Sequence, residues 1–552
     1  MELSPTPTMA KFDPVQTWRL PGWFWRPSVA LLGGLLAGPS LPRAGIWPLI
    51  FVSVVLLIWS VRKVGFWAGF GIGFIGGAAF YASQSVWMSA YLGPEPWLAL
   101  AVLEGIIFGF GMGAFALIWR NHDANASRLG IWDKPLLITA LSLAWVAREW
   151  LSGHLPYGGY QWSRLGQPVV GTVFERWAFW GGISAVSLAV AVLAVTAFVI
   201  IDSLLASAKT QGQPRLPNWR RSKAPTIALM IPALIALLVP LFTVVPNGLN
   251  SQSKLVKVAA VQGNANAGLF ANPIPGSILA KHARESNLLS KNPNAKNLDF
   301  VVWPENASDQ DPLTNPMAAL QIYRVSNQLL KAPLFVGAVT WKGDLAFNSV
   351  LLFDPKKSKV AVYNKRRPVP FAEYVPDRPF WYSLAPDLIG LINHGFTAGN
   401  RAGIFKVANY KVGSLICFEI GIDDLSHDLV TNGAQIILSQ ANNSDFGHTD
   451  ETFQQESLAR LQALATGRSM VHVSTVGVTE LILPNGQITQ KIPAFEPGYV
   501  LGRLPLSNDL TPAMRFYGWV DGLALSITGL LLTFSITLRA AEALRKFRFR
   551  RA

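Results

Sequence analysis

The sequence is poor in charge and nearly lacks cysteine. Only 14% of its 552 residues are charged, whereas 51% are hydrophobic. With a single cysteine, Cys417, the chain can form no internal disulfide, no CxxC redox pair and no cysteine-based zinc cluster. The HExxH pattern of zinc enzymes and the glycine pattern of phosphate-binding loops are absent as well. The sequence therefore predicts neither a metal nor a cofactor.

Long apolar runs are what the chain has in abundance. Its mean hydropathy of +0.31 is typical of a membrane protein and not of a soluble domain. Seven apolar runs precede a long polar middle, and an eighth run follows it. The sequence thus predicts a polytopic α-helical membrane domain of about eight helices, at residues 28–39, 45–60, 66–92, 97–119, 135–146, 180–201, 227–245 and 519–538.

The positive charge of the chain follows the predicted membrane crossings. The formal net charge is +15. If the N-terminus lies in the cytoplasm, the basic residues at 62–63, 120–134 and 209–223 and in the C-terminal tail all fall on the cytoplasmic side, as the positive-inside bias requires. With the basic residues beside other helix ends, they account for about +13 of the charge, so no nucleic-acid partner is needed. Both termini are then cytoplasmic, and the polar middle lies on the outer face of the membrane.

The polar middle is long enough to form a domain with its own core. We predict a membrane domain at 1–245, an extracytoplasmic domain at 246–517, and a C-terminal membrane helix with a basic tail at 518–552. Short β-branched runs alternate with helical stretches in the middle segment, which predicts a layered α/β domain. The predicted strands are 255–261, 300–302, 334–339, 350–353, 412–416, 436–439 and 470–474, and the predicted helices are 277–289, 317–330 and 451–466.

Two segments place charged side chains where predicted strands end, the usual location of sites in α/β sheets. Strand 300–302 leads to Glu305, and a partly desolvated carboxylate there is suited to general base catalysis. A solvated loop residue is the alternative. The proline-rich segment 363–376 gives Lys365 and Glu373 a rigid extended path. The alternative there is a basic surface turn.

A third segment ends in the only thiol of the chain. The apolar strand 412–416 leads directly to Cys417, which Phe418 and Glu419 follow. A cysteine nucleophile needs a base or a cation to form its thiolate at neutral pH, and a glutamate with a lysine supplies both. A buried cysteine that acts as a small apolar side chain is the alternative.

The three segments together form a recognisable pattern. WPE at 303–305, YNKxxxVPFxEYVP at 363–376 and LICFE at 415–419, in this order, resemble the apolipoprotein N-acyltransferases. That family joins a nitrilase-like domain, an α-β-β-α sandwich, to eight membrane helices. The resemblance covers nearly the whole chain. It implies a catalytic triad and supporting residues, namely Glu305, Lys365 and Cys417 with support from Glu373, Glu419 and Phe418.

Several positions bear on the choice of substrate. Phe418 stands where the family often has Tyr, Asp445 stands where Trp is usual, and Phe270 is offered near a position that usually holds Trp. Trp162 ends a motif at 157–162 that resembles the outer membrane loop of the family. The substrate- or lipid-facing candidates are Trp162, Phe270, Arg366, Arg367 and Asp445, where the two arginines are suited to lipid headgroups.

The resemblance implies a specific reaction. A fatty acyl chain would move from a phospholipid to the α-amine of the N-terminal S-diacylglyceryl cysteine of an apolipoprotein, by a ping-pong mechanism through a Cys417 thioester. We expect a monomer in the bacterial cytoplasmic membrane. Two alternatives are a membrane-tethered nitrilase-type amidohydrolase, which passes the acyl group to water, and a catalytically silent lipoprotein-binding homologue.

Overall fold

A computed structural model of the protein describes residues 22–211, 224–268, 273–392 and 394–549. In this part of the chain, helices occupy most of the region before the polar middle. They are α1 (Gly22–Leu35), α2 (Leu49–Ser60), α3 (Phe66–Gln84), α4 (Ser89–Leu92), α5 (Pro94–Leu129), α6 (Asp133–His154), α7 (Ala178–Gln211) and α8 (Ala224–Phe242).

Four helical segments among the described residues are long and apolar enough to cross a membrane. They are Phe66–Gln84, Pro94–Ala124, Val173–Leu205 and Trp519–Ala541. The shorter helices Leu49–Ser60 and Ala228–Phe242 are also apolar. Every predicted apolar run overlaps a helix, but the shorter helices fall below the length that a straight crossing needs. The helical N-terminal region is therefore confirmed, and the number of eight crossings stays a prediction.

The outer surface of these helices is apolar. Trp67 in α3 is 74% exposed, and Leu530 in the last helix is 71% exposed. Contact of so much apolar surface with water is unfavourable, by about 25 cal/mol for each square ångström. Lipid chains remove this cost, so the surface is typical of a membrane protein.

Small residues let the membrane helices approach each other closely. A Cβ atom on Gly73 of α3 would lie 2.4 Å from the side chain of Met112 in α5. One on Gly77 would lie 2.3 Å from Phe108. Because the hydrophobic effect does not drive helix association inside a lipid bilayer, close packing of this kind is a main source of stability there.

The polar middle forms two sheets of six strands each in the described part of the chain. Their strand orders are β12-β1-β2-β3-β4-β5 and β11-β10-β9-β8-β7-β6. Strands β1, β2 and β3 are parallel in the first sheet, and strands β7, β8 and β9 are parallel in the second. The strands are β1 (Leu255–Gln262), β2 (Phe300–Val302), β3 (Leu334–Lys342), β4 (Leu345–Phe353), β5 (Ala361–Asn364), β6 (Ile404–Val407), β7 (Tyr410–Ile416), β8 (Ile436–Ala441), β9 (Ser469–Ser474), β10 (Thr479–Ile482), β11 (Ile488–Ile492) and β12 (Gly498–Pro505).

The two sheets face each other across an apolar core and are covered by helices on their outer sides. Val258 and Phe335 of the first sheet meet Ile416 and Leu438 of the second in this core. The α-β-β-α sandwich that the family resemblance implies is therefore present. The remaining helices are α9 (Ser277–Ser290), α10 (Pro316–Tyr323), α11 (Arg378–Leu384), α12 (Pro386–Gly390), α13 (Asp423–Thr431), α14 (Glu451–Thr466), α15 (Pro512–Arg515) and α16 (Trp519–Phe549).

Helix α14 of the sandwich packs against the membrane helices and forms hydrogen bonds with them. Its Gln454 accepts hydrogen bonds from the indole nitrogens of Trp87, at 3.2 Å, and Trp162, at 2.7 Å. The same side chain donates to the backbone oxygen of Gln84 at the end of α3. The buried apolar side chains of α14 and of the membrane helices also form one continuous cluster. The helices and the sandwich therefore share walls at the site described next.

Candidate active site

The chain turns sharply where β7 ends. Cys417 has a φ of 53°, in the left-handed region that residues other than glycine seldom adopt. It opens a single 3-10 turn at Cys417–Gly421, so the thiol stands at the strand end and not in the sheet core. Its Sγ accepts a long hydrogen bond of 3.8 Å from Nε2 of Gln455 in α14. Such a strained strand-to-turn position suits a nucleophile.

Glu305 lies just after β2, where a glycine in the neighbouring strand makes room for it. A Cβ atom on Gly337 of β3 would lie 2.3 Å from the backbone oxygen of Pro304 and 2.6 Å from Cα of Glu305. Asn306, with a φ of 51°, then turns the chain away from the sheet. These features hold the Glu305 side chain inside the protein, where it is only 4% exposed.

Lys365 follows β5 and lies among acidic side chains. Its Nζ is 2.9 Å from the Glu373 carboxylate and 3.8 Å from Oε1 of Glu305. Nδ2 of Asn348 in β4 donates to Glu305 at 2.6 Å and to Glu373 at 3.0 Å. The three charged side chains line one cavity together with Cys417, whereas Asn348 lies behind them and does not line it. The fold thus brings the predicted triad and Glu373 together.

Burial and neighbouring charges set the protonation of the site. Burial raises the pKa of Glu305 to about 7, with Lys365 opposing the rise and Glu373 adding to it. Burial also raises the pKa of the Cys417 thiol well above its usual value, and Glu305 adds to the rise while Lys365 opposes it. Burial alone would lower the pKa of Lys365, but Glu373 and its other acidic neighbours raise it. The resting site therefore holds a neutral thiol, a charged lysine and a carboxyl group that titrates near neutral pH.

Glu419 joins the segment that holds the lysine to the turn that holds the thiol. Its fully buried carboxylate accepts a hydrogen bond from the hydroxyl of Tyr363 at 2.9 Å. It also accepts from three backbone nitrogens, those of Arg366 at 2.7 Å, Arg367 at 3.1 Å and Ile416 at 2.9 Å. Glu419 does not line the cavity, and its hydrogen bonds tie the backbone after Lys365 to the end of the strand before Cys417.

The cavity beside Cys417 has walls from both parts of the protein. It measures about 220 Å³. The sandwich contributes the side chains of Cys417, Lys365 and the two nearby glutamates, and apolar ones such as Phe371 and Phe396. Helix α5, the turn after α3 and the loop after α6 contribute a largely apolar and aromatic wall, which includes Trp87, Leu100, Leu103, Leu155, Tyr157, Tyr160 and Trp162. An apolar chain can therefore extend from the membrane helices to the thiol.

Comparison with known proteins identifies the family to which the chain belongs. Two family models match the chain, apolipoprotein N-acyltransferase N-terminal domain at residues 33–196 and carbon-nitrogen hydrolase at residues 257–508. An apolipoprotein N-acyltransferase from Mycolicibacterium smegmatis is 31% identical over 514 residues, which cover 89% of this chain and 81% of the relative. The chain belongs to the apolipoprotein N-acyltransferase family. A second relative of this name, from Azotobacter vinelandii, is 28% identical over 553 residues and covers 94% of this chain and 97% of its own.

The family assignment confirms the predicted resemblance and the nitrilase-like fold of the second half of the chain. Among solved structures, a CN-hydrolase superfamily protein from Xanthomonas campestris covers 50% of this chain and 97% of its own length. Its sequence identity is 17% and its TM-score is 0.35.

Two of the aromatic residues that bear on substrate choice pack together in this N-acyltransferase family member. The rings of Trp162 and Phe418 are stacked, with centroids 5.7 Å apart and an interplanar angle of 9°. Both residues line the cavity, and so does Asp445. Phe418 therefore forms part of the cavity wall directly after the thiol. These three positions stay candidates for substrate contacts.

The other candidates lie elsewhere. The guanidinium of Arg366 pairs with Asp428 in α13, and Arg367 is exposed. Neither arginine lines the cavity, so a contact with lipid headgroups would occur outside it. Phe270 falls outside the residues that the structure describes.

Reasoning from the sequence missed three polar residues of the candidate site. Asn348 holds both Glu305 and Glu373, and Gln455 contacts the thiol. Glu451, at the start of α14, is 2% exposed and lines the cavity. A signal for Asn348 exists, because it and Ser349 are the two polar residues of a strand that is apolar elsewhere. The other two face the thiol only because α14 crosses the end of β7 in three dimensions.

Proposed function

We propose that the protein transfers a fatty acyl chain from a phospholipid to the α-amine of the N-terminal S-diacylglyceryl cysteine of a lipoprotein, through a thioester on Cys417. The observation that supports this best is the shared cavity. A cysteine with a lysine and two glutamates beside it opens onto an apolar wall that membrane helices supply. A substrate with a reactive ester and long apolar chains matches both features.

In the first half-reaction, the neutral thiol must lose its proton as it attacks. Glu305 accepts this proton while Sγ of Cys417 bonds to the ester carbonyl carbon. Lys365 and the backbone N–H of Phe418 stabilise the oxyanion that forms. The ester C–O bond then breaks, and Glu305 returns the proton to the leaving alcohol of the lysophospholipid. The product is an acyl thioester on Cys417.

In the second half-reaction, the amine of the lipoprotein attacks the thioester carbonyl. Glu305 accepts a proton from the attacking nitrogen, and the C–S bond breaks. The thiolate of Cys417 then takes up the proton from Glu305, which restores the resting enzyme. Because the lysophospholipid leaves before the lipoprotein reacts, the kinetics are ping-pong.

An amidohydrolase would use the same side chains and pass the acyl group to water. The cavity and the anchoring of the substrates in the membrane both favour an amine acceptor over water. The stacked rings of Trp162 and Phe418 and other apolar side chains lower the access of water to the thioester. Both substrates are anchored in the same membrane as the enzyme, which raises the effective concentration of each.

The proposed arrangement in the membrane follows from the charge and from the shared cavity. We place the segment 246–517 on the outer face of the bacterial cytoplasmic membrane, between the membrane segments 1–245 and 518–552. Eight helices cross the membrane, and both termini lie in the cytoplasm. Basic residues concentrate on the side that this arrangement makes cytoplasmic. We propose a monomer, because the described residues of one chain line the cavity on both its sandwich side and its helix side.

A lipopeptide assay tests the function. Purified protein is incubated with a phospholipid and a diacylated lipopeptide, and the lipopeptide mass is measured for wild type and Cys417→Ala. We expect one added N-linked acyl chain with wild type and none with the variant. Free fatty acid in place of the acylated lipopeptide would indicate the amidohydrolase. No turnover by a folded wild type would indicate a silent lipoprotein-binding homologue.

A further inference from the structure

A second buried carboxylate lies beside the thiol and has no part in the proposed mechanism. Oε2 of Glu451 accepts a short hydrogen bond from Nδ2 of Asn443. The same amide donates to Oε1 of Gln455 at 2.9 Å, and Nε2 of Gln455 donates to Sγ of Cys417 at 3.8 Å. Glu451 is therefore linked to the thiol through the side chains of Asn443 and Gln455. Glu451 and Gln455 both belong to α14, the helix that borders this part of the cavity.

Next to Glu451, the cavity wall has a polar group that lacks a partner. Tyr160 is 9% exposed and lines the cavity. Its hydroxyl makes no hydrogen bond of normal geometry among the described residues, although the Ser163 hydroxyl lies nearby. Burial raises the pKa of Tyr160, and the carboxylates of Glu104 and Glu451 add to the rise because both lie close to it. A buried hydroxyl whose closest polar neighbour is outside normal hydrogen-bond geometry, on a wall that Glu104 and Glu451 also line, can donate a hydrogen bond to a polar ligand or accept one from it.

The charge of the wall indicates the sign of that ligand. Five carboxylates are found among the described residues that line the cavity, and Lys365 is the only basic side chain there. Lys365 is already bound to Glu373 and Glu305. Glu451 is left to face the cavity without a cation. A ligand with a positive charge therefore fits this wall better than a neutral or an anionic one.

The second half-reaction releases two protons from the acceptor nitrogen, and a second proton acceptor beside the thiol assists the release. A primary ammonium must lose two protons to become an amide nitrogen. One of them passes through Glu305 to Cys417, because the thiolate that leaves must be neutralised. The other must leave the ammonium before attack, since a protonated nitrogen has no free electron pair.

We propose that Glu451 binds the α-ammonium group of the lipoprotein acceptor beside Cys417 and accepts the first of these two protons. The inference rests on the proposed acyl transfer. The neutral amine then attacks the carbonyl carbon, the C–N bond forms and the C–S bond breaks. Glu305 carries the second proton to the sulfur, and Glu451 releases the first to water after the amide has left.

The environment of Glu451 suits this role. Burial, with a contribution from Glu305, raises the pKa of Glu451 to about 8. A free α-ammonium group has a pKa of about 7.7–8.0. The proton therefore moves between the two groups at little cost in free energy, which is the condition for efficient acid–base catalysis.

The test separates the two half-reactions of Glu451→Gln, in the full-length protein. Thioester formation is followed by intact-protein mass with phosphatidylethanolamine or phosphatidylglycerol as donor. The purified acyl-enzyme is then mixed with a diacylated lipopeptide, and loss of the thioester is timed. We expect thioester formation within about twofold of wild type with either donor, and transfer to the lipopeptide about 100-fold slower at pH 7.

A pH series adds a readout that a structural role would not change. Above about pH 9 the acceptor amine is already neutral, so the deficit of Glu451→Gln in the transfer step is expected to shrink to within about tenfold. The matched control is Glu456→Gln on the same helix. The Glu456 carboxylate pairs with Lys491 outside the cavity, and this variant is expected to leave both steps within about twofold of wild type.

Three outcomes would overturn the inference. The first is an equal loss in both half-reactions at every pH, which indicates a structural role. The second is no loss in either. The third is slower thioester formation with phosphatidylethanolamine only, which assigns the ammonium to the donor headgroup. A wild type that forms no thioester would contradict the proposed function and the inference together, whereas these three outcomes with an active wild type contradict the inference alone.

Discussion

Replacing Lys365 by methionine is expected to lower the rate of thioester formation about 1,000-fold or more. The variant keeps the length of the side chain but removes the positive charge that faces the developing oxyanion. The loss of one such group typically lowers a rate about 100- to 1,000-fold. Lys365 also holds the pKa of Glu305 down, so its removal leaves the base more fully protonated at pH 7. The two effects multiply.

The loss must be separated from a loss of folding, because Lys365 compensates buried carboxylates. Removal of one partner of a buried ion pair typically costs about 3–5 kcal/mol of stability. Thermal unfolding is therefore measured for the same samples. Two control variants are measured with it. Lys365→Arg keeps the positive charge at the site, and Lys342→Met makes the same substitution at an exposed lysine at the end of β3. Thioester formation by a folded Lys365→Met at more than about a tenth of the wild-type rate would show that the lysine has no role in catalysis.

Glu305→Gln is expected to lower the rate of thioester formation about 100- to 10,000-fold, the usual contribution of a general base. The dependence on pH distinguishes this role from a structural one. Glu305 accepts a proton only when ionised, and its pKa is raised to about 7. In wild type, the rate should therefore fall about tenfold for each pH unit below 7. The variant should show no such fall.

Single-turnover rates between pH 5 and pH 8.5 test the role of Glu305. Lys365 stays charged over this range because its neighbours raise its pKa, and the Cys417 thiol stays neutral because its pKa is raised well above the usual value. Glu451, whose pKa burial raises to about 8, also titrates in this range, so the inflection is assigned to Glu305 by its presence in Glu451→Gln and its absence in Glu305→Gln. The same inflection near pH 7 in Glu305→Gln, or a wild-type rate that stays nearly constant down to pH 5, as an ordinary carboxyl pKa of about 4.3 would give, would exclude Glu305 as the base.

The reactive strand ends could be predicted because a simple pattern marks them. The strand runs 300–302 and 412–416 are apolar, and each delivers one polar side chain where the strand ends. Glu305 follows β2 of the first sheet and Cys417 follows β7 of the second, and the two side chains meet because the stacked sheets bring these strand ends to the same cavity. The seven predicted strands correspond to β1 to β4 and β7 to β9, whereas β5, β6, β10 and β12 were missed although each contributes to the core between the sheets.

Features that depend on crossings in three dimensions could not be predicted in this way. Glu451 reaches the cavity because α14 crosses the end of β7, and no period in the sequence records that crossing. Strand β11 was missed because its three central residues are exposed and polar. The Asn485-Gly486 pair in the turn before it is a hairpin signal that was available.

The number of membrane-crossing helices is hard to predict from sequence for a different reason. Hydropathy locates apolar segments well, but a segment such as Leu49–Ser60 is too short to decide between a crossing and a packed helix. Its buried side chains pack against other helices, while its composition is that of a membrane segment. Composition and length together therefore leave the number of crossings open.

Detection of the acyl-enzyme is the measurement that tests the central claim most directly. Wild-type protein is incubated with phospholipid alone, and its intact mass is measured before and after treatment with neutral hydroxylamine, which cleaves thioesters. We expect a mass increase of one acyl chain, located on Cys417 by peptide mapping, lost on treatment and absent in Cys417→Ala. An acyl group that resists hydroxylamine, or one that also forms in Cys417→Ala, would contradict a thioester on this cysteine.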